Sequence, residues 1–350
     1  MRWVLSIGAV TAVFSIWANA DVESRVHLLE CKMKAARQDM AYECREGARF
    51  APGRPSIDSY GFWVVGNVLY WTAYEGGTEI AYRENNLAST PFPQVMTSVN
   101  FEWDVGYRIG AGWATAHDNM EFGVIFTRVE PEGEFSAHTS APNAEQSVIV
   151  PVGITTYTSA SAHWNLKYSV LDVEFARSYF VSRYFYLRPY FGSRTAWIDQ
   201  DANLQFKGGG NPITKGTLRN DFKGSGLRFG TDSRWFFARH WNLFLGASAS
   251  ALYGKFTVAT RANQAANGDD IASSLHRIAM AAQTQIGLGW ETAFSCNSNQ
   301  IAINLGYELN YWWRQNQQPV LEQMFGSVYG ARQSQDLAFH GMTIDMQLSF

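Results

Sequence analysis

The sequence predicts an all-β protein: an antiparallel transmembrane β-barrel of about ten strands, preceded by a short periplasmic α-helix. Three observations predict this fold class. Apolar and polar residues alternate with a period of two, the alternating runs are long, and the connections between the runs alternate between short and long. Together these features fit a closed sheet whose strands cross a bilayer.

The stretch at residues 342–350 shows the alternation most clearly. Single polar residues separate its apolar residues, which are Met342, Ile344, Met346, Leu348 and Phe350. Successive side chains of an extended strand point to opposite faces, so one face of this strand is apolar and the other is hydrophilic. Such a strand is expected where one face meets lipid and the other a polar interior.

The alternating runs are longer than the strands of most proteins. Ordinary strands average about 5–6 residues, whereas a tilted strand needs about 9–11 residues to cross a bilayer. Ten stretches of the sequence are this long: 60–73, 97–113, 119–129, 161–179, 184–199, 220–236, 241–257, 275–294, 300–313 and 338–350. Twelve strands would follow if residues 79–83 and 148–155 also crossed the membrane.

The connections between these stretches alternate in length. The short ones are 114–118, 180–183, 237–240 and 295–299, and the long ones are 74–96, 130–160, 200–219, 258–274 and 314–337. Outer-membrane barrels have short periplasmic turns and longer extracellular loops. When both chain ends of the barrel segment lie in the periplasm, an even number of strands places every long connection outside the cell.

Composition limits the class of partner. Charged residues make up 17% of the chain, against about 25% in an average globular domain, while aromatic residues make up 15%. The net charge of -3 gives no basic footprint for nucleic acid. The expected partners are therefore outer-membrane lipid and small hydrophilic solutes or ions.

The first residues predict export. Arg2 precedes an apolar stretch, and Ala18 and Ala20 frame a small-residue cleavage site, so residues 1–20 are expected to be a cleaved signal peptide. Residues 21–57 are expected to form a periplasmic helix and a linker, because apolar residues recur there at spacings of three and four before Pro52 and Pro55. This helix either packs near the barrel mouth or self-associates. Residues 58–350 are assigned to the barrel.

Three cysteines are candidates for disulfide bonds in an exported protein. On one continuous helix, Cys31 and Cys44 would lie roughly 20 Å apart, whereas a disulfide needs Cα atoms within about 7 Å. They pair with each other only if the helix breaks. The third, Cys296, makes the count odd, so at least one thiol is free or intermolecular.

The alternation also predicts which charged side chains face the lumen. The predicted pore-lining residues are Glu102, Asp104, Arg108, Glu121, Lys167, Arg188, Arg194, Arg228, Arg234, Glu291, Glu308 and Asp345. Their order along the chain predicts an acidic wall facing a basic wall. The alternative is that these charges pair and fill a narrow interior, since barrels of about eight strands are filled by side chains and wide channels need about 16–18.

Sequence signatures of catalysis are weak, and we expect no enzyme activity, cofactor or metal. The best candidate site combines Asp199, Asp201, Asp269, Asp270 and His276, because paired carboxylates and a histidine can activate water. This set resembles the acidic residues and histidine of omptin-type outer-membrane proteases. The Asp-x-His pair of that family is absent here.

Parts of the chain resemble the major-outer-membrane-protein-like pore-forming family of Legionella- and Chlamydia-type bacteria. The resemblance rests on GFWVVGNVLYW at residues 61–71, VGYRIG at 105–110 and LRPYFGSRTAWIDQ at 187–200. It implies an abundant β-barrel porin of the outer membrane, cross-linked by disulfides in a homo-oligomer. Phe350 resembles the terminal signal by which outer-membrane barrels are recognised for insertion.

The function predicted from the sequence is an outer-membrane porin that passes small hydrophilic solutes or ions and also serves as a structural surface protein. The first alternative is an adhesin that binds host surfaces through the long connections at residues 130–160 and 314–337. The second is an omptin-like hydrolase.

Overall fold

The computed structural model describes the chain from Gly61 onward. The described residues are 61–79, 81–84, 94–115, 120–138, 145–147, 156–182, 184–208, 211–238, 240–263, 269–294, 299–324, 327–332 and 334–350. The predicted signal peptide, the predicted helix and the three cysteines lie outside these ranges.

Ten antiparallel strands form a closed barrel, as the sequence predicts. The strands are β1 (Gly61–Glu75), β2 (Asp104–Ala114), β3 (Met120–Val129), β4 (Ser159–Arg177), β5 (Phe185–Gly208), β6 (Asn211–Phe236), β7 (Trp241–Asn263), β8 (Asp269–Phe294), β9 (Asn299–Asn316) and β10 (Gln335–Ser349). Each strand pairs with the next along the chain, and β10 pairs with β1 to close the sheet.

The pairing between β1 and β10, which closes the barrel, is continuous along both strands. Its register runs from Trp63 opposite Ser349 to Glu75 opposite Leu337. At one end, the backbone N–H of Phe62 donates to the carbonyl of Phe350 at 3.1 Å, and the N–H of Phe350 donates back at 2.8 Å. Closure leaves no strand edge exposed to lipid, which is the condition for a sheet to cross a bilayer.

The described ranges also contain nine shorter strands outside this set of ten. Ala81–Glu84, Gln94–Thr97, Glu145–Ser147 and Thr156–Tyr157 form a separate sheet, Pro319–Met324 pairs with Ser327–Arg332, Glu132–His138 and Asn100–Phe101 extend the barrel sheet beside β4, and Tyr179–Ser182 pairs with the start of β5. Residues 79–83 therefore add no barrel strand. The second stretch needed for twelve strands, 148–155, lies outside the described residues.

The two ends of the barrel differ. At the short-turn end, brief connections follow β2, β4, β6 and β8, and both Gly61 and Phe350 lie there. At the opposite, long-strand end, β6 and β8 reach 26 residues each, more than twice the about 9–11 that a crossing needs. The sequence predicted β5 to β8 several residues too short at this end.

An apolar band encircles the short-turn half. Large hydrophobic side chains of this half point outward and are exposed, for example Leu305 (49%) on β9 and Ile344 (52%) on β10. Their neighbours Gly306 and Asp345 face the interior, so the predicted lipid and lumen faces are those observed. Among the described residues, no helix is long and apolar enough to span a membrane.

The faces exchange polarity in the long-strand half. On β5, Asp199, Asp201 and Asn203 are exposed, whereas Ile198 and Leu204 point inward and are buried. The alternation continues without a break, but here the apolar set faces the interior. The outer surface of this half is therefore suited to water, and its interior to an apolar core.

An aromatic cluster fills the interior of the barrel where the two halves meet. Its fully buried members include Trp71, Trp164, Tyr168, Phe222, Phe256, Trp312 and Phe339. The ring centroids of Tyr168 and Phe339 lie 4.5 Å apart, as do those of Phe222 and Phe256. Pairs at such distances are worth about 0.5–1.5 kcal/mol beyond their buried area.

The facing predicts how two lysine substitutions should differ. Leu305→Lys places a charge on the lipid side of the band and should destabilise the barrel by about 2–4 kcal/mol. Gln347→Lys adds the same charge to the interior face of the neighbouring strand, beside Asp345, and should cost far less. Urea-induced unfolding in lipid vesicles measures both, and equal losses would contradict the assigned facing.

Candidate functional site

A cavity of about 190 Å³ lies inside the short-turn half of the barrel. Its wall combines polar and apolar groups in similar proportion and carries charges of both signs. The charged residues that line it are Arg108, Glu121, Asp172, Glu174, Arg188, Arg228, Asp232, Arg234 and Asp345. We call these residues, with Arg194, Glu291 and Glu308, the charged network.

Asp172 on β4 is the centre of the charged network. It lies opposite Arg194 in the β4–β5 register, and both side chains face inward. Arg194 donates from Nε to Oδ1 at 2.7 Å and from Nη2 to Oδ2 at 2.8 Å, while Nη1 of Arg228 lies 3.0 Å from Oδ2. Two parallel N–H···O bonds fix the geometry of an arginine–carboxylate pair as well as strengthening it.

Arg228 and Arg188 extend the charged network to three further carboxylates. Nη1 of Arg228 donates to Glu174 at 2.5 Å. Arg188 donates from Nε to Glu121 at 2.9 Å and from Nη1 to Asp232 at 3.0 Å. These contacts join β3, β4, β5 and β6 through side chains across the interior.

Gln283 on β8 bridges this group to the opposite wall. Its side-chain oxygen accepts from Arg194 at 2.8 Å and from Arg228 at 3.2 Å, and its Nε2 donates to Glu308 at 2.7 Å. Arg108 on β2 holds Glu308 with two bonds of 2.8 and 3.1 Å. The charged network therefore spans the barrel from side to side.

Every arginine of the charged network has a carboxylate partner. The remaining ion pair joins Arg234 on β6 to Glu291 on β8 at 2.6 Å. Asp345 accepts a hydrogen bond from the side-chain amide of Asn304. Pairing is required here, because an uncompensated buried charge costs several kcal/mol, of order 3–5.

The aromatic cluster closes the cavity on its long-strand side. The guanidinium carbon of Arg108 lies 5.7 Å from the ring centroid of Trp71, so the charged network and the cluster are in direct contact. Trp71 itself is fully buried and donates from Nε1 to Thr343 at 3.2 Å. Trp71, Tyr168 and Phe339 are all fully buried at this level, and the rings of Tyr168 and Phe339 are in contact.

Most of the predicted pore-lining residues lie in the charged network. These are Arg108, Glu121, Arg188, Arg194, Arg228, Arg234, Glu291, Glu308 and Asp345. Asp104 lies opposite Trp71, where it accepts a hydrogen bond from the N–H of Val105. Pore lining itself stays a prediction.

The structure places Glu102 and Lys167 elsewhere. Glu102 is exposed and precedes β2. Lys167 on β4 is also exposed and points outward, because Leu166 and Tyr168 on either side of it face the apolar interior of the long-strand half. The lumen facing expected for Lys167 was wrong, since it assumed that the lipid-side pattern extends along the whole strand.

The expected acidic and basic walls were also wrong. The arginines of β5 and β6 bind carboxylates of β3 and β4, so charges of opposite sign are paired across the interior and do not face each other as two separate walls. The expectation missed Asp172, Glu174 and Asp232. The period of two could have found Asp172 and Glu174, since they alternate with the outward-facing Leu171, Val173 and Phe175. No charge marked Gln283 in the sequence.

The hydrolase candidates do not converge. Asp199 and Asp201 are exposed on the outer face of β5, and His276 is exposed on β8, three strand spacings or about 14 Å away. The side chains of Asp269 and Asp270 lie outside the described part. Within the described part of the chain, no three metal-ligating side chains cluster.

Beyond the aromatic cluster lies a buried polar group around Glu75. This glutamate is the last residue of β1, which has 15 residues, so it lies beyond the about 9–11 residues that a strand needs to cross the membrane. Nearby, Asn220 donates to Gln200 at 3.3 Å and to the carbonyl of Gln315 at 3.2 Å, and all four residues are buried. Burial raises the pKa of Glu75 from its ordinary 4.5 to about 8.

Comparison with known proteins gives one family match. A family model described as the Legionella pneumophila major outer membrane protein precursor matches residues 58–350. No curated protein matches the chain.

Solved structures of outer-membrane barrels are similar at low identity. The outer membrane protease OmpT from Escherichia coli is 8% identical with a TM-score of 0.44, over 84% of this chain and 99% of that one. The translocator domain of the autotransporter NalP from Neisseria meningitidis is 9% identical with a TM-score of 0.33, over 91% and 95%. The Pseudomonas putida toluene transporter TodX is 9% identical with a TM-score of 0.28, over 86% and 90%. Similarity at this level carries no argument about the present chain.

Removing the cation that binds two carboxylates should destabilise the barrel. Arg228→Met leaves Asp172 with Arg194 alone and Glu174 with only the 3.5 Å contact to Arg188, and we expect a loss of about 3 kcal/mol in the free energy of unfolding. Arg219→Met is the control, because Arg219 pairs with Asp221 at an exposed site and should cost about 1 kcal/mol or less. Urea unfolding in vesicles compares them. Similar losses would show that the charged network contributes no more than a surface ion pair.

Raising the pH should destabilise the fold through Glu75. With a pKa of about 8 in the folded protein against an ordinary 4.5, the folded state binds the proton more tightly. The resulting stabilisation is fully present below the lower value and is lost as the pH rises through the upper one. Thermal unfolding measured from about pH 5 to about pH 9 should show this loss of stability. In Glu75→Gln, the loss over the same pH range should be smaller by up to about 4 kcal/mol. Parallel pH profiles for the two proteins would contradict this role.

Proposed function

Since the chain belongs to the family of the Legionella pneumophila major outer membrane protein, we propose that it forms a narrow pore for small hydrophilic solutes or ions in the bacterial outer membrane. One observation carries the proposal. A polar, charged cavity of about 190 Å³ occupies the half of the barrel that the apolar band surrounds. A charged interior is costly to bury and is characteristic of barrels with a hydrated lumen.

The lengths of the connections orient the proposed pore. Short turns of outer-membrane barrels face the periplasm, so the short-turn end is the periplasmic end and the long-strand end faces outward. Solutes entering from outside would meet the aromatic cluster before the charged network.

The aromatic cluster is the proposed gate. Ten strands enclose an interior only slightly wider than the eight-stranded barrels that side chains fill. A conducting state therefore requires Trp71, Tyr168 and Phe339 to move aside, which predicts small and infrequent conductance steps. Carboxylates outnumber arginines in the charged network, which favours cations.

Opening the gate by substitution tests the proposal. The double variant Tyr168→Ala with Phe339→Ala removes two rings that pack against each other and should raise single-channel conductance in a planar bilayer severalfold. Tyr253→Ala is the matched control, because Tyr253 points outward and is exposed, so conductance should not change. Under a salt gradient across the bilayer, the reversal potential should have the sign expected for a cation-selective pore. A folded double variant that remains silent would refute the pore.

A filled interior favours one alternative, a surface protein that binds host surfaces through its long-strand end. Strands of up to 26 residues carry this end beyond the apolar band, and the hairpin Pro319–Met324 with Ser327–Arg332 follows β9 at this end. Silent bilayers together with reduced cell attachment after replacement of this hairpin by a short turn would favour this function. Unchanged attachment would count against it.

A further inference from the structure

The outer surface of β5 to β8 carries a cross-strand row of four residues that the pore does not use. The registers place Trp197, Lys223, Lys255 and His276 directly opposite one another. Lys223, Lys255 and His276 are exposed, and their neighbours along each strand face the interior. We call these four residues the basic row.

The basic row lies at the edge of the apolar band. One position nearer the short-turn end, the outward residues are Thr195, Ser225, Tyr253 and Ile278, of which Tyr253 (63%) and Ile278 (58%) are strongly exposed. One position farther, they are Asp199, Asp221, Thr257 and Ser274. The outward surface changes from apolar to hydrophilic across this row, which is where lipid headgroups lie.

Two lysines directly opposite each other are unfavourable without a partner. Side chains at such positions have Cβ atoms about 4.5–5.5 Å apart, and like charges there destabilise a sheet. Among the described residues, neither Lys223 nor Lys255 forms an ion pair. Asp221, in the adjacent row, pairs with Arg219 at 2.6 Å, and Asp199 is exposed in that same row on β5, two strands away from Lys255.

The inward-pointing neighbours of the two lysines fix the backbone that carries them. Phe222 and Phe256, the inward neighbours of Lys223 and Lys255, pack against each other inside the barrel with ring centroids 4.5 Å apart. Nζ of Lys223 lies 5.9 Å from the ring centroid of Trp197. Below the row, the hydroxyls of Thr195 and Ser225 are hydrogen-bonded at 3.0 Å and point outward, so they can accept or donate to a polar headgroup.

We propose that the basic row binds the phosphate group of a phosphorylated lipid headgroup in the outer leaflet. A phosphate placed between two ammonium groups neutralises their repulsion and accepts hydrogen bonds from both. The lipid's acyl chains would then lie along the apolar band beside Tyr253 and Ile278. Continuity with that band favours a membrane lipid over a free anion.

Titration of the detergent-solubilised full chain with diphosphoryl lipid A, followed by native mass spectrometry, tests the proposal. Lys223→Gln and Lys255→Gln should each weaken binding about fivefold, and together about 25-fold, the effect expected of basic residues at an anionic surface. The double variant Lys207→Gln with Lys215→Gln is the matched control. It removes the same charge from exposed positions of β5 and β6 farther from the band, and should bind as the unaltered chain does.

Three results would overturn the proposal: unchanged binding by the basic-row double variant, equal weakening by the control, or equally tight binding of inorganic phosphate alone. Folding is not expected to confound the test. Without lipid, Lys223→Gln should leave the thermal unfolding midpoint unchanged or raise it, since a repulsion is removed. If the double glutamine variant does not fold, Lys223→Arg with Lys255→Arg supplies the second measurement, and loss of binding there despite retained charge would contradict a charge-based site.

Discussion

The closed backbone ladder is the constraint on which the rest of this structure depends. A sheet in lipid must leave no unpaired edge, and the β1–β10 seam satisfies this from Trp63 to Glu75. Closure with both chain ends of the barrel on the same side of the membrane requires an even number of strands. It also fixes the interior width, and ten strands leave room for little more than their own side chains. The packing of side chains therefore determines the interior and limits any passage through it.

The two halves of the barrel solve that problem differently because their surroundings differ. Within the apolar band, polar side chains must face inward, and the charged network satisfies them with ion pairs and the bridging amide of Gln283. Beyond the band, water solvates the outer face, and apolar side chains fill the interior around Trp71 and Phe339. The aromatic cluster marks the level at which one solution gives way to the other.

This exchange explains what the sequence could and could not predict. A period of two persists through both halves, so strand number and order followed from the sequence. It does not state which face meets lipid, and for this reason Lys167 was assigned to the lumen although it points outward. The partners within the charged network depend on register between distant residues, as for Arg108 and Glu308. Local pattern carries no such information.

The exchange of polarity also ties stability to function. The cluster that would have to open for a solute to pass is the core of the long-strand half, so opening it exposes apolar surface and costs free energy. A barrel with a wider interior could keep a permanent aqueous path, but ten strands cannot place both a core and a path at one level. In the proposed pore, conduction and an intact core are therefore alternatives, and the energy of the Trp71–Tyr168–Phe339 contacts sets the balance between them.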